Sequence, residues 1–164
     1  MKNNRLAIIL FAIIAFTFVA CDKDDAEEIP TNNPSGNYFY ESNSVYSDAN
    51  GDVENKVNSN GSIQIKIENS ILSIAITPSI GYSFTIEASN LKDHGDTTTF
   101  SIYRQQIDLK SNTYNVQGLN GVDVGPLGHF DGYYTKDNIV FDYRSINVST
   151  LESVRTQTHA TKRN

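Results

Sequence analysis

The chain has 164 residues, with 13 Lys and Arg against 19 Asp and Glu, which gives a net charge of −6 at neutral pH. An acidic surface repels phosphate backbones, so the composition disfavours nucleic-acid binding. The length predicts one domain, and a unit of about 130 residues buries enough surface for one core without covalent staples. The single cysteine excludes an intramolecular disulfide and a cysteine-based zinc cluster.

A short basic start and an uncharged apolar run open the chain. Lys2 and Arg5 precede residues 6–20, which carry no charge. This run is shorter than the roughly 20 residues that span a bilayer, so it predicts a signal peptide over residues 1–20. Small Ala20 stands directly before Cys21, and an unpaired cysteine in an exported protein needs an explanation.

The segment from Phe18 to Cys21 resembles the lipobox of bacterial lipoproteins, with Phe18 where the usual pattern has Leu. The resemblance implies that Cys21 is lipidated and becomes the mature N-terminus. Several acyl chains on one residue hold a protein firmly at a membrane. The alternative is an ordinary secretory signal that ends near a cysteine.

Residues 21–35 are acidic and then rich in Pro, Asn and Ser, which predicts a solvated tether. Within it, Lys23, Asp24 and Asp25 resemble the export signal of surface lipoproteins of the Bacteroidota. The resemblance implies an outer-membrane protein, lipid-anchored and displayed on the cell surface. The alternative is a charged spacer without a sorting role.

Two adjacent segments with alternating Ile side chains predict a hairpin with a turn at Asn69-Ser70. This register puts the apolar residues of both strands on one face, and a one-residue slip would destroy that match. The predicted pairs are Ile67 with Leu72, Lys66 with Ser73, Ile65 with Ile74, Gln64 with Ala75 and Ile63 with Ile76.

A second hairpin is predicted around Asp137-Asn138. The favoured register sets Asp131 against Arg144, which is an attractive cross-strand pair. The register two residues away would oppose Asp131 with Asp142, so it is not preferred. The favoured register also pairs Tyr134 with Phe141 and Gly132 with Tyr143.

Further strand candidates, separated by breaks rich in Gly and Asn, bring the total to about nine short strands in a domain over residues 36–164. No amphipathic helical window follows the signal peptide. We therefore predict an all-β fold, an antiparallel up-and-down β-barrel of about 8–9 strands, with a β-sandwich as the alternative. The candidates are residues 37–46, 81–88, 97–105, 113–118 and 152–160.

The segment "GNYFY" at the first strand and the basic end "THATKRN" resemble the small lipocalin-like, or calycin-like, lipoproteins of the Bacteroidota. Lipocalins open with Gly-x-Trp and carry a late Arg that packs over the Trp. Here Tyr38 stands in place of the Trp, and Arg155 or Arg163 is expected in the late basic role. The resemblance implies a barrel that binds a small ligand.

Motifs for chemistry are not found in the sequence. No Gly-x-Ser-x-Gly motif occurs, and the chain has no phosphate-cradling loop, so we expect a non-enzymatic protein without a cofactor. Asp93, His94 and Asp96 predict a solvated turn, with weak calcium binding as the alternative. His129 and Asp131 are interpreted as surface residues.

The loop from Gly118 to Gly128 is long for a small domain and carries Val122, Val124 and Leu127. At a barrel mouth these residues would guard a ligand cavity; the alternative is a bulge and turn that cap the barrel end. Tyr103 and Tyr133 offer rings and hydroxyls that suit sugars or amphipathic ligands. These five residues are the predicted ligand-binding set.

The sequence leaves several functions open. The leading prediction is a lipid-anchored β-barrel that binds a small hydrophobic or oligosaccharide ligand at the cell surface. The alternative is an accessory or structural module that docks onto an outer-membrane complex. A hydrolase with dispersed carboxylates is the weakest of the three. The oligomeric state is not predicted.

Overall fold

The structure is a computed structural model that describes residues 32–163. The predicted signal peptide, Cys21, Lys23, Asp24 and Asp25 lie outside the described residues. Within residues 32–163 the chain forms β-strands and a single 3-10 turn, Gly125–Leu127. The strands are Gly36–Ser47 (β1), Val53–Glu68 (β2), Ile71–Pro78 (β3), Phe84–Asp93 (β4), Thr98–Ser101 (β5), Gln105–Leu109 (β6), Asn112–Gly118 (β7), Val122–Asp123 (β8), His129–Phe130 (β9), Gly132–Tyr134 (β10), Asn138–Asn147 (β11) and Ser153–Lys162 (β12).

All strand pairs are antiparallel, which confirms the predicted all-β class. Eight strands close into a ring of hydrogen-bonded neighbours, in the order β1, β2, β3, β4, β5, β10, β11, β12 and back to β1. Ring closure leaves these strands without a long free edge, which removes a site for unwanted strand pairing. None of the described residues forms a helix long and apolar enough to cross a membrane.

The ring strands run up and down in chain order, except that two positions each hold two short strands instead of one long strand. Beside β4, the short strand β5 is followed by β6. Beside β11, both β7 and β10 pair with that strand. Between β7 and β10, residues 119–131 leave the ring and form the small β8–β9 sheet. We call these residues the excursion.

The predicted register of the first hairpin is confirmed pair for pair, from Ile67 opposite Leu72 to Ile63 opposite Ile76. The turn residues Asn69 and Ser70 have φ values of 50° and 60°, as a tight hairpin turn with left-handed central residues requires. The inward apolar partners Ile63, Ile65, Leu72, Ile74 and Ile76 are buried in the ring, and Ile67 is partly buried against the same core.

The predicted register of the second hairpin is wrong. Gly132 lies opposite Phe141 and Tyr134 opposite Ile139, the register two residues away from the favoured one. This register places Asp131 opposite Asp142, but the two carboxylates do not repel each other strongly because each has other partners. Asp142 is paired with Arg155 of β12, and Asp131 accepts backbone N–H groups.

One end of the ring is filled, and we call it the closed end. It carries the β2–β3, β4–β5 and β10–β11 turns and the start of β1. Tyr38 is buried there and donates a hydrogen bond of 2.6 Å from its hydroxyl to the Pro34 carbonyl oxygen. The core at this end contains Ile63, Ile65, Leu72, Ile74, Ile86, Ala88, Phe100, Tyr134, Ile139, Phe141 and Ala160.

The opposite end, which we call the open end, carries the β1–β2, β3–β4, β6–β7 and β11–β12 turns. Here β2 begins at Val53, well before the Ile-rich segment from which it was predicted. Residues 53–60 carry little apolar content, yet they pair with β1 from Glu41 to Ser47. Their ladder is therefore fixed by the neighbouring strand and not by hydrophobic alternation.

Candidate functional site: a cavity inside the strand ring

A cavity of about 540 Å³ occupies the open half of the ring. Its volume falls within the range of small-molecule sites, about 300–1,000 Å³. The closed-end core forms its floor, through Ile76 and Tyr40. The cavity exists because inward positions near the open end change from large apolar side chains to small hydroxyl-bearing ones.

This change is visible along β1. Because strand side chains alternate, Tyr38, Tyr40, Ser42, Ser44 and Tyr46 all point inward. Tyr38 belongs to the packed core, whereas the following four line the cavity. Ser at the two central positions leaves space that Ile or Phe would fill.

Hydroxyl groups line one half of the cavity wall, built from β2, β1, β12 and β11. Ser42 Oγ lies 2.7 Å from Ser59 Oγ on β2, and Ser44 Oγ lies 2.9 Å from Thr156 Oγ1 on β12. These contacts satisfy buried polar groups that would otherwise be costly. The remaining hydroxyls of this half come from Tyr40, Tyr46, Tyr143, Ser145 and Thr158.

Aliphatic and aromatic side chains dominate the other half, built from β3, β4, β6 and β7. Ile76 and Phe84 face each other across the β3–β4 pair, and both line the cavity. Phe84 also packs edge-on against Tyr143, with ring centroids 6.5 Å apart. Ile107, Leu109 and Val116 complete this half.

The cavity wall carries no formal charge, since every described residue that lines it is apolar or neutral and polar. Burial raises the pKa of Tyr143, and it also raises the pKa of Tyr40. Both phenols therefore stay protonated at neutral pH and act as neutral hydrogen-bonding groups.

Apolar side chains stand around the mouth. Ile80 in the β3–β4 loop is 93% exposed, and the neighbouring Tyr82 is half exposed. Lys110, in the β6–β7 turn, places Nζ 4.4 Å from the centre of the Tyr82 ring. This cation–π contact links two turns across the rim.

The predicted ligand-binding residues lie outside this cavity. Val122 is buried in the excursion, Val124 is half-buried and Leu127 is exposed. Tyr103 is exposed, and its hydroxyl donates to Glu87. Tyr133 is half-buried on the outward face of β10. None of the five lines the cavity, so a ligand at these residues stays a separate prediction.

The excursion lies against the outer face of the ring and not at its mouth. Ile139, Phe141 and Tyr143 of β11 point inward, so Asp142 points outward, yet it is completely buried. The excursion covers it, because the backbone at Gly121 is in close contact with the Asp142 carboxylate. This segment thickens the wall and leaves the open end uncovered.

Asp131 joins the end of the excursion to the ring. Its carboxylate accepts the Ile102 N–H at 2.8 Å and the Asn120 N–H at 2.7 Å. Gly118 in turn donates its N–H to the Ile102 carbonyl at 3.1 Å. The interpretation of Asp131 as a surface residue is therefore wrong, because backbone donors from two interrupted strands surround it. His129 is exposed.

Sequence reasoning missed the cavity because its polar residues look like solvent-facing positions. The available signal was their alternation: Ser42 and Ser44 continue the inward series that begins at Tyr38, and Thr156 and Thr158 precede buried Ala160. Among residues 32–163, no group of three or more His, Cys, Asp or Glu side chains is placed to hold a metal.

The comparisons with known proteins give little beyond this geometry. No family model matches the chain, and no curated protein matches it. One solved structure with some similarity is a structural-genomics protein of unknown function from Bacteroides ovatus, at 12% identity and a TM-score of 0.42. The alignment covers 78% of this chain and 41% of that one, so the chain spans less than half of that protein.

Proposed function

We propose that this protein is a non-enzymatic binding protein that holds a small organic ligand in the open half of its strand ring. The observation that carries the proposal is the cavity of about 540 Å³, lined by inward side chains of the ring strands together with β6, β7 and the β3–β4 loop. It combines a largely apolar lining with a few grouped hydroxyls, the composition typical of small-molecule sites.

The proposal includes a lipid anchor at Cys21 and display at the outer membrane, with Lys23, Asp24 and Asp25 as the export signal. The described chain starts beside the closed end, where Asn32 Nδ2 donates to the Gly95 carbonyl at 2.5 Å. An anchor at Cys21 would therefore attach to the closed end. The tether would then join the domain at the end opposite the mouth, which leaves the mouth free for a ligand.

A lipocalin-like origin is part of the proposal. In the resembled pattern a late basic residue packs over the aromatic ring of the first strand. Here Lys162 places Nζ 5.9 Å from the centre of the Tyr38 ring. Arg155, one of the two expected residues, pairs with Asp142, and Arg163 lies over Phe39. The basic residue over the Tyr38 ring is therefore Lys162 and not Arg155 or Arg163, and this contact supports the proposed origin.

A dye titration tests the binding proposal. The neutral dye Nile red is expected to gain fluorescence when it enters the cavity of the purified full chain. Ser145 lines the cavity from β11, so Ser145→Phe should fill space and reduce binding. The matched control is Arg144→Phe, which adds the same ring to the exposed neighbour on the same strand. Equal binding by the two variants, or none by the wild type, would contradict the proposal.

Exposed apolar side chains favour a second candidate, a docking module for an outer-membrane complex. Val53, Ile80 and Leu151 stand at three turns of the open end and are 60%, 93% and 61% exposed. A partner would bury these side chains. Val53→Ser and Leu151→Ser together, at two positions outside the cavity lining, should release a co-purifying partner if docking is the function, and should leave Nile red binding intact if the function is ligand binding in the cavity.

A further inference from the structure

We infer that the cavity selects an uncharged amphiphile, with a hydrocarbon face on one side and a row of hydroxyl or carbonyl oxygens along the other. The inference rests on the proposed function and adds the chemical class of the ligand. It follows from how polar and apolar side chains are distributed around the ring.

Most of the lining hydroxyls come from four consecutive strands of the ring, β2, β1, β12 and β11, and the others come from Ser79 and Tyr82 in the β3–β4 loop and from Tyr114 on β7. Ser42 with Ser59 and Ser44 with Thr156 form two cross-strand pairs. In each pair one hydroxyl donates to the other, which leaves one O–H and several lone pairs for a ligand. Tyr143 lies directly opposite Thr156 on the neighbouring strand, so the second pair continues towards β11.

The facing half of the cavity wall is mainly hydrocarbon, and part of it comes from β6 and β7, which extend the sheet beyond the eight-strand ring. Ile76, Phe84, Ile107, Leu109 and Val116 come from β3, β4, β6 and β7. Val57 and Val154 are aliphatic exceptions in the hydroxyl half, and Tyr114 brings a phenol into the apolar half. The two halves thus differ in chemistry, and a bound ligand would be oriented by both.

The absence of charge from this lining decides against ionic ligands. A buried carboxylate or ammonium needs a counter-ion or several charge-assisted hydrogen bonds. The polar side chains of the described lining are all neutral hydroxyls and amides. A plain hydrocarbon would fit the apolar half but would leave the hydroxyl half without ligand partners.

Displacement of Nile red by three surfactants that each carry a ten-carbon chain tests the inference. Monodecanoylglycerol is uncharged with a hydroxyl-bearing end, decanoate is anionic and decyltrimethylammonium is cationic. Below their micelle concentrations, at neutral pH, monodecanoylglycerol should displace the dye at a concentration lower by about tenfold or more.

Two further variants test which hydroxyl pair produces the preference for the uncharged surfactant. Ser44→Ala combined with Thr156→Val removes one hydroxyl pair as a unit and should abolish most of the preference for monodecanoylglycerol. Ser42→Ala combined with Ser59→Ala tests the other pair if the first variant does not fold. The control is Thr161→Val, which makes the same change as Thr156→Val at an exposed position of β12.

The outcomes separate this inference from the proposed function. Dye binding with a monodecanoylglycerol preference that the paired variants lose supports the inference. Dye binding with no preference among the three surfactants, or with one that the paired variants keep, overturns the inference and leaves the binding function standing. No dye binding by the folded wild type overturns both.

Discussion

Arg155 on β12 pairs with Asp142 on β11 through Nη2 and Oδ2, which are 2.5 Å apart, although the residue opposite Asp142 is Gln157. The contact is therefore diagonal across the strand pair. The Arg155 side chain is half exposed, whereas Asp142 is completely buried. This hydrogen bond and the charge of Asp142 raise the pKa of Arg155, so the guanidinium stays charged and balances the buried carboxylate.

We expect Arg155→Met to destabilise the protein because it leaves Asp142 buried without a counter-charge. Breaking a buried pair costs about 3–5 kcal/mol, and solvent at the exposed Arg155 brings the expected loss nearer 2–3 kcal/mol. Chemical unfolding measures it. A double-mutant cycle with Asp142→Asn provides the control, since the double variant should lose less than the sum of the two single changes. Strict additivity would contradict the role of the pair.

Gly121 is expected to be required at its position because any β-carbon there would collide with the Asp142 carboxylate. Gly121→Ala should cost about 1–3 kcal/mol in the free energy of unfolding. Gly125→Ala is the control in the same excursion. A β-carbon at residue 125 would meet no atom within 4 Å, so this variant should lose only about 1 kcal/mol in the free energy of unfolding, because of its left-handed φ of 62°. A smaller loss at Gly121 than at Gly125 would show that the excursion does not press on Asp142.

Stability should fall at alkaline pH through Tyr38. Burial, with a smaller effect from the charge of Asp137, raises the pKa of Tyr38 to about 12. Because the folded pKa exceeds the unfolded value near 10, the contribution is fully present below about pH 10 and is lost as pH rises towards 12. Tyr38→Phe should flatten the loss over this window by roughly 2–3 kcal/mol. Unfolding curves with equal pH slopes for both proteins would argue against it. The variant also loses the bond to Pro34, which lowers its stability at every pH.

The anchor is tested by mass spectrometry of the protein extracted from its host membrane. Lipidation predicts a chain that starts at residue 21 and carries the added mass of acyl groups on Cys21. Cys21→Ser should abolish the modification and release the protein from the membrane fraction. An intact N-terminus with an unmodified Cys21 would remove the anchoring proposal without affecting the cavity.

The sequence predicted the fold best where neighbouring segments decide the pairing. In the hairpin from Ile63 to Ile76, side chains on both strands alternate and the turn is two residues long, so only one register buries the Ile residues. The predicted register of the second hairpin was wrong because Arg155, from a third strand, neutralises Asp142. That counter-charge lies on β12, outside the β10–β11 pair from which the register was predicted.

The candidate site was hidden for a related reason. Ser44 and Thr156 are separated by 112 positions in the chain and become a buried pair only when β1 and β12 close the ring. Polar residues at alternate positions indicate a solvent-facing side of a strand. Here such residues line the cavity, and only the closure of the ring decides whether they face solvent or the interior.

Native mass spectrometry of the protein purified from its host tests the central claim, that the ring holds a ligand, most directly. We predict a retained neutral organic molecule on the wild type and on Arg144→Phe, and its loss from Ser145→Phe, whose added ring occupies the cavity. A wild-type protein recovered at its own mass, whose cavity also leaves Nile red unbound, would contradict the claim.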